Sequence, residues 1–199
     1  MAVFKLLESD NPILKVKLED CNPELNRQEI KDNLIETMQH YEGIGLSANQ
    51  IGVMERVFVM YNHVETKQII ACFNPKIIKE GEEKVLIDEG CLSFPNKHIR
   101  TNRFVSVVVE ADNHEGQLSF SADSSEVDDA FECACVQHEI DHLDGVTMFD
   151  REWKQEPIKV EKKIKKKKKV LIACGTESKV MKYKKAEPLL EDGWTLVEA

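Results

Sequence analysis

The 199-residue chain is 42% hydrophobic, which is enough to bury one sizeable core in a single domain with a short appendage. Its formal net charge of -9 argues against DNA or RNA binding by the chain as a whole, since neutralising phosphates requires a basic surface. No apolar run reaches the length of a membrane span, and the N-terminus lacks a signal-like apolar region, so we expect a cytoplasmic protein with no membrane partner. The six cysteines include no C-x-x-C pair, so we expect reduced thiols.

The first predicted element is an N-terminal helix. Asn22 is a candidate N-cap, and Pro23 suits the first helical position. Leu34 and Met38, four residues apart, belong to one apolar face, and Gly43 ends the helix.

A glycine-rich segment, Gly-Ile-Gly-Leu-Ser-Ala-Asn-Gln-Ile-Gly, follows at residues 43–52. Glycine lets another backbone approach closely, so the segment is suited to lie beside an extended peptide or ligand. A phosphate-binding loop is a poor interpretation, because neither the G-x-x-x-x-G-K pattern nor the strand, G-x-G-x-x-G and helix order is present. A plain loop between a helix and a strand is the alternative.

Strands are predicted at residues 57–61, 69–73, 104–111 and 117–122, where β-branched and aromatic residues form short runs between turn signals. A late helix is predicted at about residues 126–143. The order of a helix, several strands and a second helix indicates an α+β fold, with mainly antiparallel sheets packed around the late helix.

The late helix contains the sequence Gln-His-Glu-Ile-Asp-His at residues 137–142. His138 and His142 are four residues apart, so they project from one face and can bind a single metal ion. Glu139 is placed to handle the proton of a water bound to that ion. Phe131 and Cys135 continue the same stripe, which predicts that this face is buried.

A catalytic metal site needs a third protein ligand, and Cys91, in the turn at residues 88–95, is a reasonable donor. The extended H-E-x-x-H-x-x-G-x-x-H pattern of one protease class fails, because its last position is Met148. Glu161 lies at the distance typical of thermolysin-like proteases and stays open as a weak alternative, although it begins a lysine run.

The last part of the chain has a different composition. Residues 154–169 read as a lysine-rich, solvated linker, and residues 170–199 as an extension of unknown role with two short strands near residues 170–175 and 194–197. The lysine run is also a candidate for electrostatic contact with ribosomal RNA, since it is the one basic stretch of an acidic chain.

Three stretches together resemble the peptide deformylase family, whose enzymes remove the formyl group from the initiator methionine of new polypeptides. The family motifs G-φ-G-φ-A-A-x-Q, where φ is apolar, E-G-C-L-S and Q-H-E-x-D-H-L-x-G match residues 43–50, 89–93 and 137–145 in order. Ser47 departs from the pattern by replacing the first alanine of the pair, a change expected to tune packing. The resemblance covers about residues 1–152 and implies a catalytic domain at residues 1–153.

The resemblance implies roles for individual residues. The metal ligands would be Cys91, His138 and His142, and Glu139 would act as general base and acid. Metal-bound hydroxide would attack the formyl carbon. The oxyanion that forms would be stabilised by Gln50 and the backbone N–H of Leu92. The implied substrate-binding residues are Gly43, Ile44, Gly45, Ile87, Gly90, Phe131, Ala134 and Cys135.

The resemblance also implies the cofactor and the partners. One divalent ion is expected, Fe2+ in the cell, with Zn2+, Ni2+ or Co2+ also compatible with one thiolate and two imidazoles. The expected substrates are N-formylmethionyl nascent peptides. Two other functions use the same helix: a metal-dependent endopeptidase, and a folded module with a structural metal, which would normally have four protein ligands.

Overall fold

The computed structural model describes residues 2–62, 68–122, 127–154, 165–175 and 177–198. The chain divides into two compact units, Met1–Trp153 and Lys154–Ala199. Most of the predicted lysine-rich linker, residues 155–164, lies outside the described residues, as does Glu161. Within the described ranges, no helix is both long enough and apolar enough to cross a membrane.

The described residues of the first unit form two α-helices, α1 (Arg27–His40) and α2 (Val127–Leu143). The predicted start of α1 at Asn22 and Pro23 is wrong. The Asn22 side chain accepts a hydrogen bond from the Glu24 backbone N–H at 2.9 Å, so this pair forms a turn instead. Asn26 is the N-cap, because its Oδ1 accepts from the Glu29 N–H at 3.2 Å.

The strands of the first unit form three sheets in which every pairing is antiparallel. One sheet has the order β1 (Gly45–Ser47), β2 (Val57–Asn62), β3 (Gln68–Phe73). A second has the order β4 (Lys76–Glu80), β7 (Ser106–Glu110), β8 (Leu118–Ser121), and a long hairpin pairs β5 (Glu83–Cys91) with β6 (Phe94–Phe104). The predicted α+β class with mainly antiparallel sheets is confirmed.

Strand β2 lies between two hydrophobic cores. Phe58 and Met60 belong to the core that also contains Val136 and Ile140 of α2. The alternate residues, including Val57, belong to the core that contains the apolar side chains of α1. Because side chains alternate across a strand, burial on both faces requires the continuous apolar run that the sequence shows here.

The second unit contains β9 (Lys169–Cys174), β10 (Glu177–Lys182), α3 (Tyr183–Glu191) and β11 (Thr195–Glu198). The sheet order is β10-β9-β11, and all pairs are antiparallel. Val170, Ile172, Ala186 and Leu196 form its buried core. The two predicted strands are present, but β10 and α3 were not predicted, and α3 contains Pro188, which normally argues against a helix interior.

Gly145 follows the end of α2 and packs closely against the backbone of Lys15 in the N-terminal segment. Its φ is +71°, and an added Cβ would lie 2.6 Å from the backbone oxygen of Lys15. Gly116 also has a positive φ, +89°, but nothing lies within 4 Å of its added Cβ. An alanine at Gly145 would therefore suffer both backbone strain and a steric clash, whereas an alanine at Gly116 would suffer backbone strain alone.

We expect Gly145→Ala to lower the free energy of unfolding by about 3 kcal/mol or more, because a backbone clash adds to the strain of a left-handed conformation. Gly116→Ala is the control and should cost about 1 kcal/mol, since it carries the strain alone. Urea denaturation followed by circular dichroism measures both. Equal losses for the two variants would contradict the close approach at Lys15.

Candidate metal centre and cavity

Three candidate metal ligands come from two elements of the first unit. Cys91 ends strand β5, whereas His138 and His142 lie one turn apart on α2. The Nε2 atoms of the two imidazoles are 3.1 Å apart, and the Cys91 Sγ lies 3.2 Å from His142 Nε2. One ligand atom from each residue lies within 4.8 Å of the other two, and among the described residues this is the group that could hold an ion.

Glu89 fixes the orientation of one of these imidazoles. Its Oε2 lies 2.8 Å from Nδ1 of His138, so that nitrogen donates its proton to the carboxylate. When the imidazole is neutral, its lone pair is then on Nε2, the nitrogen that lies 3.1 Å from His142 Nε2. A histidine ligand oriented in this way by a carboxylate is the usual arrangement around protein-bound metals.

Glu89 is itself part of a buried network of charges. Arg103 donates to it from two nitrogens, Nε at 2.6 Å and a terminal nitrogen at 2.8 Å, and donates to Asp141 at 2.5 Å. Thr101 Oγ1 donates to Glu89 Oε1 at 2.6 Å, and Arg151 forms two hydrogen bonds with Asp141. Burial alone raises the pKa of Glu89, but the bonds from Arg103 and His138 outweigh it and hold the pKa below its ordinary range.

The pKa values of the two imidazoles are shifted in opposite directions. Burial lowers the pKa of His138, but Cys91 and Glu89 raise it by more, so the pKa of His138 lies well above its ordinary value. Burial and the neighbouring His138 lower the pKa of His142. A thiol and two imidazole nitrogens that converge in this way form a donor set that fits a divalent transition metal.

Glu139 lies beside the candidate ligands and is almost completely buried. Burial raises the pKa of Glu139 to about 6, although His138 and a hydrogen bond from Ser47 lower it. Its carboxylate lies against Gly45, where an added Cβ would collide with Oε1. A carboxyl group with a pKa close to neutrality is suited to accept and return a proton.

Gln50 lies close to the Cys91 thiol. Its Oε1 accepts a hydrogen bond from the Ser47 backbone N–H at 2.9 Å, which leaves the amide nitrogen to point toward Ser93 Oγ at 3.1 Å and Cys91 Sγ at 3.6 Å. Leu92, whose backbone N–H was the second predicted oxyanion donor, is half-buried and borders the same space.

One cavity of about 500 Å³ is lined by Gln50, Cys91, Leu92, His138 and Glu139. All eight predicted substrate-binding residues line it: Gly43, Ile44, Gly45, Ile87, Gly90, Phe131, Ala134 and Cys135. Ile44 is 50% exposed and Phe131 is 47% exposed. The prediction that the whole helix face is buried is therefore wrong at Phe131, because this side chain borders the open cavity, not the core.

Two other residues, Met148 and Glu161, occupy the positions where other metalloprotease classes have their third ligand. Met148 is 1% exposed and lies among the buried hydrophobic residues. Glu161 lies outside the described residues, so the structure does not describe that alternative.

Sequence reasoning missed several residues around the site. Arg103 and Asp141 were not assigned roles, since a charged residue in a strand or a helix normally faces solvent. Thr101 and Arg103 are two residues apart on β6, so they share a face, and this alternation was the available signal. Asn49 was also missed; its Nδ2 donates to the His142 backbone oxygen at 2.6 Å.

Comparison with known proteins gives a consistent result. The sequence model of the polypeptide deformylase family matches residues 3–157. A peptide deformylase of Natranaerobius thermophilus is 37% identical over 153 residues, which are 76% of this chain and 93% of the relative. A peptide deformylase of Endomicrobium trichonymphae is 36% identical over 174 residues, covering 85% of this chain and 98% of the relative.

Solved structures give the same match. The crystal structure of a peptide deformylase from Thermotoga maritima superposes with a TM-score of 0.67 and 27% sequence identity. The match covers 77% of this chain and 100% of that chain.

We expect Glu89→Gln to weaken metal binding about 10- to 100-fold, because the amide N–H groups of glutamine would face the donors of Arg103 or His138. Asp88→Asn is the matched control, since Asp88 is exposed on the same strand and pairs with Arg100 at 3.5 Å. Competition titration with a chelator measures both affinities. Equal affinities for the two variants would mean that Glu89 does not orient the ligand.

Proposed function

Because this chain belongs to the peptide deformylase family, whose enzymes remove the N-formyl group from nascent polypeptides, we propose that Cys91, His138 and His142 hold its catalytic metal ion. The observation that carries this assignment is the convergence of the three ligand atoms within 4.8 Å beside Glu139. Three protein ligands leave a coordination position open, as catalytic sites require and closed structural sites do not. The endopeptidase alternative is not favoured, since the matched relatives are deformylases.

The ion that we propose for the cell is Fe2+, with Zn2+, Ni2+ or Co2+ as substitutes. A thiolate and two imidazoles are compatible with all four. When bound, such an ion supplies Lewis-acid chemistry, which lowers the pKa of water and polarises a carbonyl group. Metal analysis of protein purified without oxygen distinguishes iron from the other three.

Glu139 is proposed as the general base and acid. It takes a proton from the attacking water and returns it to the amine nitrogen that leaves when the formyl C–N bond breaks. Support comes from its position beside His138 in the cavity wall and from its raised pKa of about 6, which makes it a stronger base that is still mostly ionised at neutral pH.

Gln50 and the backbone N–H of Leu92 are proposed as the donors that stabilise the negative oxygen of the tetrahedral intermediate. The Gln50 amide is suited to this role because the Ser47 N–H holds its oxygen, so its N–H groups point toward Cys91. Donors that are oriented before the reaction require no rearrangement as the charge develops.

The cavity is proposed to bind the formylmethionyl end of the peptide. Ile44, Ile87, Phe131, Ala134 and Cys135 provide apolar walls that suit an unbranched thioether side chain. Strand β1 lies at the edge of its sheet in the described part of the chain, so its backbone can pair with an extended peptide alongside Gly43, Gly45 and Gly90. A formyl carbon carries only hydrogen beside its carbonyl, so selectivity against larger acyl groups is steric.

The first unit is proposed as the catalytic domain and the second as an extension with a separate role.

We further propose that the enzyme acts in the cytoplasm and contacts ribosomal RNA through lysines of the second unit. The register pairs Lys169 with Lys182, and the Lys184 N–H donates to the Lys166 oxygen at 3.2 Å. Like charges placed opposite each other repel, and a phosphate backbone would relieve that repulsion.

Glu139→Ala should reduce kcat for an N-formylmethionyl peptide by at least about 100-fold, because the proton acceptor is removed while the ligands remain. Release of formate measures the rate, and metal analysis checks that the ion is retained. An unformylated peptide with the same sequence is the control for internal cleavage. Cleavage of internal peptide bonds without formate release would overturn the proposed function.

The contact with RNA predicts that replacing Lys168, Lys169 and Lys182 with Gln weakens ribosome association and reduces its salt dependence by about three charges. The matched control replaces three exposed lysines of the first unit, Lys5, Lys15 and Lys79, with Gln, which changes the net charge equally. Co-sedimentation with ribosomes over a range of salt concentrations measures both. Identical salt dependence for the two variants would reject the contact.

A further inference from the structure

Ser47, the residue that departs from the family pattern, contacts the proposed general base. It ends strand β1 and is completely buried. Its Oγ lies 2.6 Å from Glu139 Oε2 and 2.9 Å from the Glu139 backbone oxygen. A hydroxyl group has one proton, and an ionised carboxylate is the stronger acceptor, so the proton is donated to Oε2.

The two carboxylate oxygens of Glu139 therefore have different surroundings. Oε2 is engaged by Ser47, whereas Oε1 lies against the Cα of Gly45, a residue of the cavity wall. Any side chain at Gly45 would occupy the place of Oε1. The carboxylate is thus held from one side by a hydrogen bond and accommodated on the other by the absence of a Cβ.

The backbone of the same residue orients the second catalytic group. The Ser47 N–H donates to Gln50 Oε1 at 2.9 Å, so residue 47 contacts both the general base and the proposed oxyanion donor. The two contacts use different atoms. Replacing Ser47 with alanine removes the hydroxyl contact with Glu139 and retains the N–H contact with the Gln50 side chain.

We propose that Ser47 is a positioning residue that dedicates Glu139 Oε1 to proton transfer; this inference rests on the proposed role of Glu139. In the first step the proton of the attacking water moves to Oε1 as the water oxygen bonds to the formyl carbon. In the second step that proton moves from Oε1 to the leaving nitrogen as the C–N bond breaks. Ser47 keeps its own proton throughout and holds Oε2 in place.

The test is Ser47→Ala in the full-length, metal-loaded enzyme. We expect kcat to fall about three- to tenfold with KM unchanged, because the contact orients a group that acts only in the reaction steps. The substitution should not disrupt folding, since alanine is the residue of the family motif at this position. Metal content should remain equal to that of the unsubstituted protein.

A direct readout of the hydrogen bond does not depend on activity. The carboxylate stretching band of Glu139, identified in infrared difference spectra by its loss in Glu139→Gln, should shift in Ser47→Ala. Thr37→Val is the matched control for losing a buried hydroxyl, because Thr37 Oγ1 donates to the Asn33 oxygen at 2.7 Å within α1. That variant should lose stability and leave both kcat and the band unchanged.

The outcomes distinguish this inference from the proposed function. If Glu139→Ala remains active, the role of Glu139 fails. If Glu139→Ala is inactive while Ser47→Ala keeps full kcat and an unshifted band, the positioning role of Ser47 is overturned and the proposed function stands. In the Ser47→Ala, Glu139→Ala double variant, the residual rate should equal that of Glu139→Ala alone; a further decrease would also contradict the inference.

Discussion

The bidentate pair between Arg103 and Glu89 is the interaction on which the rest of the site depends. It lies within the β5–β6 hairpin, and the same guanidinium reaches Asp141 on α2. Strand β5 of the hairpin ends at Cys91, and the helix carries both imidazoles, so this buried arginine joins the two elements that supply the candidate ligands. Removing one partner would leave a buried charge unpaired, which typically costs about 3–5 kcal/mol.

The network also explains how α2 can be both a core helix and a polar one. Val136 and Ile140 pack into the hydrophobic core with Phe58 and Met60 of β2. On other sides of the helix, His138, Glu139 and Asp141 are equally buried, but each has a hydrogen-bonding or ionic partner. Burying polar groups is tolerated when they are paired, and here the paired groups include the proposed metal ligand His138 and the proposed general base Glu139.

The glycine-rich segment does more than leave room for a peptide. Gly45 allows the Glu139 carboxylate to approach the backbone, and Ser47 then holds that carboxylate and, through its N–H, the Gln50 amide. One short strand, β1, therefore contacts both the proposed general base and the proposed oxyanion donor, and in the described part of the chain it is an edge strand of its sheet. Loops and short strands on a rigid scaffold often concentrate function in this way.

The sequence alone determined the features that depend on local spacing: two histidines on one helical face, a strand at residues 57–61, and a glycine-rich segment that lets another group approach its backbone closely. It misplaced the start of α1, because Asn22 and Asn26 are both good caps and only the turn at Pro23 selects between them. Tertiary structure decided the pairing of Arg103 with Glu89 and Asp141, since charge partners 14 and 38 residues apart leave no local pattern. It also decided the contact of Ser47 with Glu139, 92 residues away. From the sequence, the serine predicts only a small change in packing, because nothing local shows that the fold brings a carboxylate to its hydroxyl.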